Sequence, residues 1–364
     1  ADAFTILGLP MPFVASEADF DNRLAVHIIA RHSAVGPQSS AYIRLVAPLT
    51  DESVAGRIRL TLGAPEHAVP DCDVCIVQRT ALPSVEAVDA LVRRLGEIGA
   101  ALVVDVDDAF ILIGPDHPEH DLYRPLNAAL DRAIAASAET WFSTAELAGA
   151  YAALSPRSAI VPNAVDPRLW RDWRYARPAP FAGDKVRMVY MGTHTHGPDL
   201  AMIRPALDAL HAERGDVFDL TVIGIDPDLA PAPWLRRLAP PAEAVSYPRF
   251  VRWLRAQGPF DLGLAPLADT AFNACKSDIK ALDYAALAIL PLLSDGPAYR
   301  ADPLLARHAL FAGPDGWLDA VRGVLDDREE AARRAIAVQD HVWNRRSVSG
   351  IATMLVERLE ALRN

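Results

Sequence analysis

The residues best suited to chemistry lie together between positions 260 and 294. A polar loop in this segment precedes a helix that we predict to begin near Ser277, and Lys276 and Lys280 flank the helix start. Free backbone N–H groups at a helix N-terminus attract anions, and lysines add positive charge. Asp283, one turn further on, is placed to hydrogen-bond a ribose. The segment therefore predicts a pocket for a nucleotide diphosphate.

Apolar runs on both sides of the loop predict the strands that position it. Residues 261–266 and 288–293 form two such runs. Similar runs alternate with helical segments at 24–30, 57–62, 74–78, 101–106, 140–143, 159–161, 186–191 and 218–223. Near-continuous apolar strands joined by helices are typical of a parallel sheet that is covered on both faces. We predict an α/β chain built from two Rossmann-like, doubly wound domains.

The alternation stops and restarts around residues 171–184, where RDWRYARPAPFAGD is rich in proline and arginine. This composition indicates a linker. We predict an N-terminal domain over residues 1–168 and a C-terminal domain over residues 169–342. The chain ends in a helical tail with no strand left to cover, so its last helix, about 343–364, is expected to pack back on the N-terminal domain. A length of 364 residues also suits two cores better than one.

Charge and hydropathy exclude several classes of protein. A net charge of -11 argues against nucleic-acid binding, because neutralising phosphates needs a basic face. No apolar run reaches the ~20 residues that span a bilayer. The N-terminal FTILGLPMPFVA is interrupted by Pro10 and Pro12 and lacks a basic segment, unlike a signal peptide. We expect a cytoplasmic protein, with peripheral association at the inner face of the membrane left open. Because the chain starts at Ala1 without Met, we also expect it to be part of a longer polypeptide.

Several motifs, in their order along the chain, resemble those of GT-B glycosyltransferases. IVPNAVDPRLW (160–170) resembles the Pro-Asn-Gly-Val-Asp segment that leads into the family's linker, with Ala164 in place of glycine. MVYMGTHTHGPDL (188–200) resembles the first strand and loop of its nucleotide-sugar domain. KSDIKALDY (276–284) resembles its Lys-Ser-x-x-Lys-x-x-Glu-Tyr run, and VVDVDD (103–108) and WFSTAELA (141–148) match its N-terminal half. The chain thus resembles family 4 (glycosyl transferases group 1), in an Asp-rich variant.

The resemblance implies that the C-terminal domain binds a nucleotide-diphosphate sugar as co-substrate. The residues it implies for the donor and its diphosphate are Gly192, Thr193, His194, His196, Asn273, Lys276, Ser277, Asp278, Lys280 and Asp283. The nucleobase would lie near Val245 and Tyr247. Two departures are evident: Cys275 stands where the family has a sugar-binding glutamate, and the Arg and Lys expected after Gly192 are missing. The negative charge of the phosphates would then be neutralised by the lysines, the histidines or backbone amides.

Three aspartates at the end of one strand are the candidate catalytic residues. By the resemblance, Asp107 takes the position of a catalytic histidine, with Asp105 and Asp108 as neighbours. Closely spaced carboxylates raise each other's pKa, which suits a general base or a substrate-binding role. A DxD metal site and simple capping of the next helix are the competing interpretations. Ser39, Ser40 and Arg44 are expected on the acceptor side.

The resemblance implies an enzyme that transfers a hexosyl group from a nucleotide-diphosphate donor to a carbohydrate or lipid-linked glycan acceptor. Synthesis of surface polysaccharides or glycoconjugates is the implied process. Metal independence, no further cofactor and retention of anomeric configuration are implied as well. Two alternatives stay open. One is a nucleotide-sugar 2-epimerase of the same fold, and the other is a catalytically silent nucleotide-sugar-binding subunit, which the missing Arg, Lys and Glu favour.

Overall fold

The computed structural model describes residues 22–33, 36–115, 117, 119–155, 157–170, 179–193, 196–224 and 230–363. Most of the predicted linker and one expected donor residue, His194, lie outside these ranges. Within them the chain forms two six-stranded sheets and one small hairpin. The described part contains no helix that is long and apolar enough to cross a bilayer.

The first sheet is parallel throughout and lies within residues 24–160. Its strands are β1 (Leu24–Ile29), β4 (Ile58–Gly63), β5 (Val74–Gln78), β6 (Ala101–Val106), β7 (Glu139–Phe142) and β8 (Ser158–Ile160), with the hairpin β2 (His32–Ser33) and β3 (Gly36–Pro37) after β1. Their order is β4-β1-β5-β6-β7-β8. Strands β1 and β5 are buried along their whole length, as their continuous apolar sequences require.

The second sheet is also parallel and lies within residues 186–312. Its strands are β9 (Val186–Met191), β10 (Phe218–Ile223), β11 (Leu235–Leu238), β12 (Leu262–Ala265), β13 (Leu290–Ser294) and β14 (Leu310–Ala312), in the order β11-β10-β9-β12-β13-β14. After β9, the chain therefore extends the sheet first on one side, with β10 and β11, and then on the other side, with β12, β13 and β14. Ligands of open α/β sheets bind beyond the carboxyl ends of the strands at such a point.

Helices connect the strands and cover the sheets. In chain order they are α1 (Ser39–Ala41), a π-helical turn (Tyr42–Val46), α2 (Ala47–Leu49), α3 (Val85–Ile98), α4 (His120–Ala136), α5 (Ala145–Ala150), α6 (Pro167–Trp170), α7 (Gly197–Arg214), α8 (Tyr247–Arg255), α9 (Ala271–Ala274), α10 (Ile279–Ala286), α11 (Pro297–Arg300), α12 (Pro303–His308), α13 (Trp317–Asp326), α14 (Arg328–Arg345) and α15 (Val348–Glu360). Short 3₁₀ turns cover Phe110–Leu112 and Ala242–Val245. The predicted pair of Rossmann-like domains is confirmed.

The C-terminal tail returns to the first domain. Arg358 on α15 forms an ion pair with Glu139 of β7 at 2.7 Å, and Val165 pairs with Ser347 in a parallel bridge just before α15. Buried leucine and valine side chains of α15 pack in the same apolar cluster as β1 and the π-helical turn. The predicted packing of the last helix on the N-terminal domain is confirmed, whereas the division at residues 168 and 169 stays a prediction.

Candidate functional site

Close packing of α10 against β12 fixes where the loop after β12 ends. Gly263 lies in β12 directly under Tyr284 of α10, and a Cβ atom at Gly263 would be 2.4 Å from the tyrosine ring. The Tyr284 hydroxyl donates to the Leu264 carbonyl at 2.9 Å and accepts from the Met191 amide at 3.2 Å. The start of α10 is thereby held beside the carboxyl ends of β9 and β12, at the point where the strand order reverses.

Two lysines point into a small cavity at this helix start. The cavity has a volume of about 140 Å³ and is lined by Asp107, Asp108, His196, Leu267, Lys276, Ser277, Ile279, Lys280 and Tyr299. Lys280 Nζ lies 3.5 Å from His196 Nδ1 and 5.0 Å from the centre of the Tyr190 ring. Burial, together with the charge of Lys276, lowers the pKa of Lys280 to about 7. A bound anion would relieve this crowding of positive charge, so the lysine pair is suited to hold a diphosphate.

His196 closes one wall of the lysine-lined cavity. Its Nδ1 lies 2.7 Å from Asp199 Oδ2, while Asp199 Oδ1 accepts from the Ala268 amide at 2.8 Å. Burial lowers the pKa of His196 although Asp199 opposes the shift, so the imidazole is neutral at pH 7. Gly192 lies against this histidine, because a Cβ there would be 3.0 Å from the His196 Cβ. The loop after β9 is therefore joined to the loop after β12.

The remaining residues of the predicted donor loop have protein partners. Asn273 on α9 donates to the Ala268 carbonyl at 2.9 Å, and Ser277 Oγ accepts from Asn163 Nδ2 at 2.8 Å. Asp278, the residue before α10, forms an ion pair with Arg346 at 2.8 Å. Asp278 is thus paired with the C-terminal tail of the chain. Thr193 lies next to Gly192 in the described part of the loop.

The residues expected around the nucleobase and ribose contact each other. The Tyr247 hydroxyl donates to Asp283 Oδ1 at 2.5 Å. Burial raises the pKa of Asp283 to about 7, and this hydrogen bond opposes the shift. Val245 is 48% exposed, and its carbonyl accepts from Ser39 Oγ of the other domain at 3.2 Å. A ribose hydroxyl that bound Asp283 would therefore compete with the Tyr247 hydroxyl for the carboxylate, or bind the carboxylate beside it.

A buried guanidinium organises the aspartate-rich end of β6. Arg44, in the π-helical turn, forms a bidentate ion pair with Asp105 at 2.7–3.0 Å. Its remaining nitrogen, Nη1, donates to the Val161 carbonyl at 2.9 Å and to Asn163 Oδ1 at 3.0 Å. Asp105 is fully buried and Arg44 is 3% exposed. The sequence placed Asp105 with the catalytic residues and Arg44 with the acceptor, but their mutual bonding favours a positioning role for both.

Asp107 and Asp108 lie at the cleft and share one arginine. Arg79 Nε is 3.0 Å from Asp107 Oδ1, and Arg79 Nη2 is 2.9 Å from Asp108 Oδ2. Asp108 Oδ1 also lies 3.5 Å from Lys276 Nζ of the second domain. Burial raises the pKa of Asp107 to about 6 against the effect of Arg79. Burial also acts to raise the pKa of Asp108, but Lys276 and Arg79 outweigh it and hold that pKa below its ordinary value.

A second cavity adjoins the lysine-lined one on the side of the first domain. It has a volume of about 290 Å³ and is lined by Gln38, Ser39, Ser40, Ile43, Arg44, Arg79, Asp107, Tyr123, Asn163, Ser277 and Ile279. Hydroxyl and amide groups predominate among its polar groups, which suits a polyhydroxylated ligand. Asp107, Ser277 and Ile279 line both cavities. Asp107 therefore lies between the lysine-lined cavity and the hydroxyl-lined cavity.

Sequence reasoning missed four residues that hold this arrangement together: Arg79, Asn163, Asp199 and Arg346. Arg79 follows β5 in the polar run after a buried strand, and Asp199 lies in the first turn of α7, so both were detectable as polar residues at strand or helix ends. Asn163 lay inside the motif that carries the resemblance. Nothing in the sequence around Arg346 indicated its role, because its partners Asp278 and Asp302 are far away in sequence.

Cys275 lies where the resemblance expects a sugar-binding glutamate. Its side chain is buried in the apolar cluster of the first domain, and its carbonyl accepts from Thr144 Oγ1 at 2.9 Å. Burial raises the pKa of the Cys275 thiol. The thiol therefore cannot replace the carboxylate of a glutamate in sugar recognition.

The bidentate pair of Arg44 and Asp105 gives a first prediction. Asp105→Ala leaves a buried guanidinium without its carboxylate, so we expect the free energy of unfolding to fall by about 3–5 kcal/mol. Urea unfolding followed by circular dichroism measures this loss. The double variant Arg44→Met/Asp105→Leu removes both charges and should recover most of the stability. A loss below about 1 kcal/mol in Asp105→Ala would contradict the organising role of this pair.

Comparison with known proteins places the geometry in context. No protein-family model matches the sequence, and no curated protein matches it significantly. Among solved structures, Anabaena HepE in complex with UDP matches with a TM-score of 0.61 at 11% identity, covering 93% of this chain and 100% of that one. Sucrose-phosphate synthase from Thermosynechococcus elongatus matches with a TM-score of 0.61 at 10% identity, covering 93% and 99%. WaaG, a glycosyltransferase involved in lipopolysaccharide biosynthesis, matches with a TM-score of 0.58 at 13% identity, covering 92% and 99%. The fold of this chain is the two-domain GT-B fold.

Proposed function

We propose that this protein is a glycosyltransferase that moves a sugar from a nucleotide-diphosphate donor to a carbohydrate or glycan acceptor. The observation that carries the proposal is the position of Asp107, whose carboxylate lines both the lysine-lined cavity and the hydroxyl-lined cavity. Sugar transfer requires stabilisation of a leaving diphosphate and a polar acceptor site next to the reacting carbon. The two adjoining cavities are suited to these two roles.

On the donor side, Lys276 and Lys280 stabilise the negative charge that develops on the leaving diphosphate. Asp108 and the ring of Phe272 hold Lys276, at 3.5 Å and 4.5 Å from its Nζ. Preorganised charges aimed at a leaving group are worth more in a site that excludes water. Because two lysines already supply positive charge, we include metal independence and the absence of a further cofactor in the proposal.

On the acceptor side, Asp107 acts as the base that receives the proton of the attacking hydroxyl. With a pKa of about 6, its carboxylate is mostly ionised at pH 7 and still basic enough to accept a proton. Asp107 Oδ1 is buried and lies 3.0 Å from Arg79 Nε, while Asp107 as a residue lines the hydroxyl-lined cavity. Ser39 and Ser40 would orient the acceptor, and retention of configuration rests on the family resemblance.

The similar structures suggest the first ligands to try. HepE was solved with UDP-glucose, which makes UDP-sugars the first donor probes. The sequence resemblance supports a role in surface polysaccharide or glycoconjugate synthesis, with a carbohydrate or lipid-linked glycan as the acceptor. We propose a cytoplasmic location, including the inner face of the membrane, on the same basis.

A catalytically silent nucleotide-sugar-binding subunit is the second candidate. The buried Cys275 favours it, because no carboxylate occupies the place where the family recognises sugar hydroxyls. Such a subunit would bind the donor through the same lysines and transfer nothing. Nothing in the geometry favours the 2-epimerase, which incubation with donor alone would reveal.

Donor binding can be tested by a thermal-shift screen against UDP-, GDP- and dTDP-sugars. We expect one nucleotide class to raise the melting temperature, because a ligand that binds only the folded state stabilises it. Lys276→Ala should abolish most of the shift, and the exposed Lys185, which pairs with Asp216 on the outer surface, gives the matched control Lys185→Ala. If no nucleotide sugar shifts the wild-type protein, the proposed function is wrong.

The role of Asp107 is tested by Asp107→Asn, which keeps the shape of the side chain and removes its basicity. We expect the rate of sugar transfer to fall by about 10²–10⁴-fold, the usual contribution of a general base. The thermal shift with the donor should persist in this variant. Full activity of Asp107→Asn in an enzyme that transfers sugar would contradict the assignment of the base. Donor binding without transfer by the wild type would favour the silent subunit.

A further inference from the structure

We propose that Arg79 is a positioning residue that holds the Asp107 carboxylate in place at the end of β6. This inference rests on the proposed function, in which Asp107 is the base. Arg79 follows β5, and its amide donates to the Asp105 carbonyl at 2.8 Å, so its backbone is held against the end of β6. Its side chain therefore begins beside the two cleft aspartates.

All three guanidinium nitrogens of Arg79 face protein oxygens. Nε lies 3.0 Å from Asp107, Nη2 lies 2.9 Å from Asp108, and Nη1 donates to Ser40 Oγ at 3.1 Å. The guanidinium also stacks on Phe110, with its carbon 4.7 Å from the ring centre. The guanidinium therefore hydrogen-bonds Asp108 and Ser40 and forms an ion pair with Asp107, which holds the two carboxylates beside each other.

The backbone of Arg79 is strained, which a surface arginine without fixed partners would not require. Its φ angle is 54°, in the left-handed region that non-glycine residues rarely adopt. Strained residues of this kind persist where the surrounding structure determines them, and they cluster at functional sites. Here the left-handed conformation accompanies a side chain that reaches both aspartates, and Ser40 accepts from it on the wall of the acceptor cavity.

The charges around Asp107 determine the direction of the effect. The groups that face it or line its cavities are Arg79 at the end of β5, Asp105 and Asp108 at the end of β6, Arg44 in the π-helical turn, Tyr123 on α4, and, from the second domain, His196, Lys276 and Lys280. Burial raises the pKa of Asp107 and Arg79 is the largest influence that lowers it. Without Arg79, only the weaker effect of Arg44 among these causes would oppose burial and the adjacent Asp108. Asp107 would then hold its proton to a higher pH.

The test uses Arg79→Gln, Arg79→Lys and a control, Arg94→Gln, which breaks an exposed pair with Asp71 on the same domain. The pKa of Asp107 is read by ¹³C NMR of the aspartate carboxyls, with the Asp107 signal assigned from its loss in Asp107→Asn. We expect Arg79→Gln to raise this pKa by about one unit or more. Arg79→Lys keeps the charge and should leave the pKa within about half a unit of wild type, and Arg94→Gln should leave it unchanged.

The pH dependence of UDP release from UDP-glucose, or from the donor that the thermal-shift screen selects, gives the second readout. The acidic limb of the rate profile should move to higher pH in Arg79→Gln, because a base that stays protonated is inactive. Arg79→Lys should keep the limb and lower kcat, since a single ammonium cannot orient both carboxylates. An unchanged Asp107 titration in folded Arg79→Gln would overturn the inference.

The two proposals fail in different ways. If no donor is turned over, the proposed function fails while the NMR titration still decides the role of Arg79. If Arg79→Gln does not fold, Arg79→Met replaces it, because it keeps an unbranched side chain and removes the charge, and the pKa of Asp107 should again rise. A pKa that falls or stays constant in folded Arg79→Met would contradict the arrangement.

Discussion

The site depends on one buried guanidinium, that of Arg44. It ties the end of β6, through Asp105, to the segment that leaves the first domain, through Asn163 and the Val161 carbonyl. Asn163 in turn donates to Ser277, immediately before α10 of the second domain. A buried charge is tolerated only when it is paired and fully hydrogen-bonded, so these partners must stay together. The end of β6 and the segment before α10 are thereby linked through buried polar contacts.

A second chain of polar contacts crosses the cleft nearer the solvent. Arg79 binds Asp107 and Asp108, and Asp108 reaches Lys276 of the donor loop. The same carboxylate therefore contacts an arginine of one domain and a lysine of the other. A diphosphate that binds Lys276 would compete with Asp108 for it, which couples donor binding to the charges around the proposed base. Closure of a GT-B cleft and assembly of its catalytic groups would then occur together.

The sequence predicted the fold well because the strands β5, β6, β9 and β10 are short and mostly apolar. The edge strands β11 and β14 were missed: LRRL carries two arginines, and LFA is only three residues long. The order of strand, loop, helix and strand between residues 260 and 294 was predicted as the structure has it, but the contacts of the loop were not predictable from spacing. Asp278 pairs with Arg346 across 68 positions of sequence, and Asp105 pairs with Arg44 across 61. Only tertiary structure separates such buried pairs from carboxylates that face the cleft.

We propose above all that Lys276 and Lys280 hold a diphosphate. Lys280 has a pKa of about 7, so most of it is neutral at pH 8, and an adjacent diphosphate must restore its charge. Calorimetry of UDP binding at pH 8, in two buffers with different ionisation enthalpies, measures the protons taken up. The account predicts an uptake approaching one proton per UDP, and none in Lys280→Arg, whose side chain stays charged. UDP binding without proton uptake, or with the same uptake in Lys280→Arg, would contradict it.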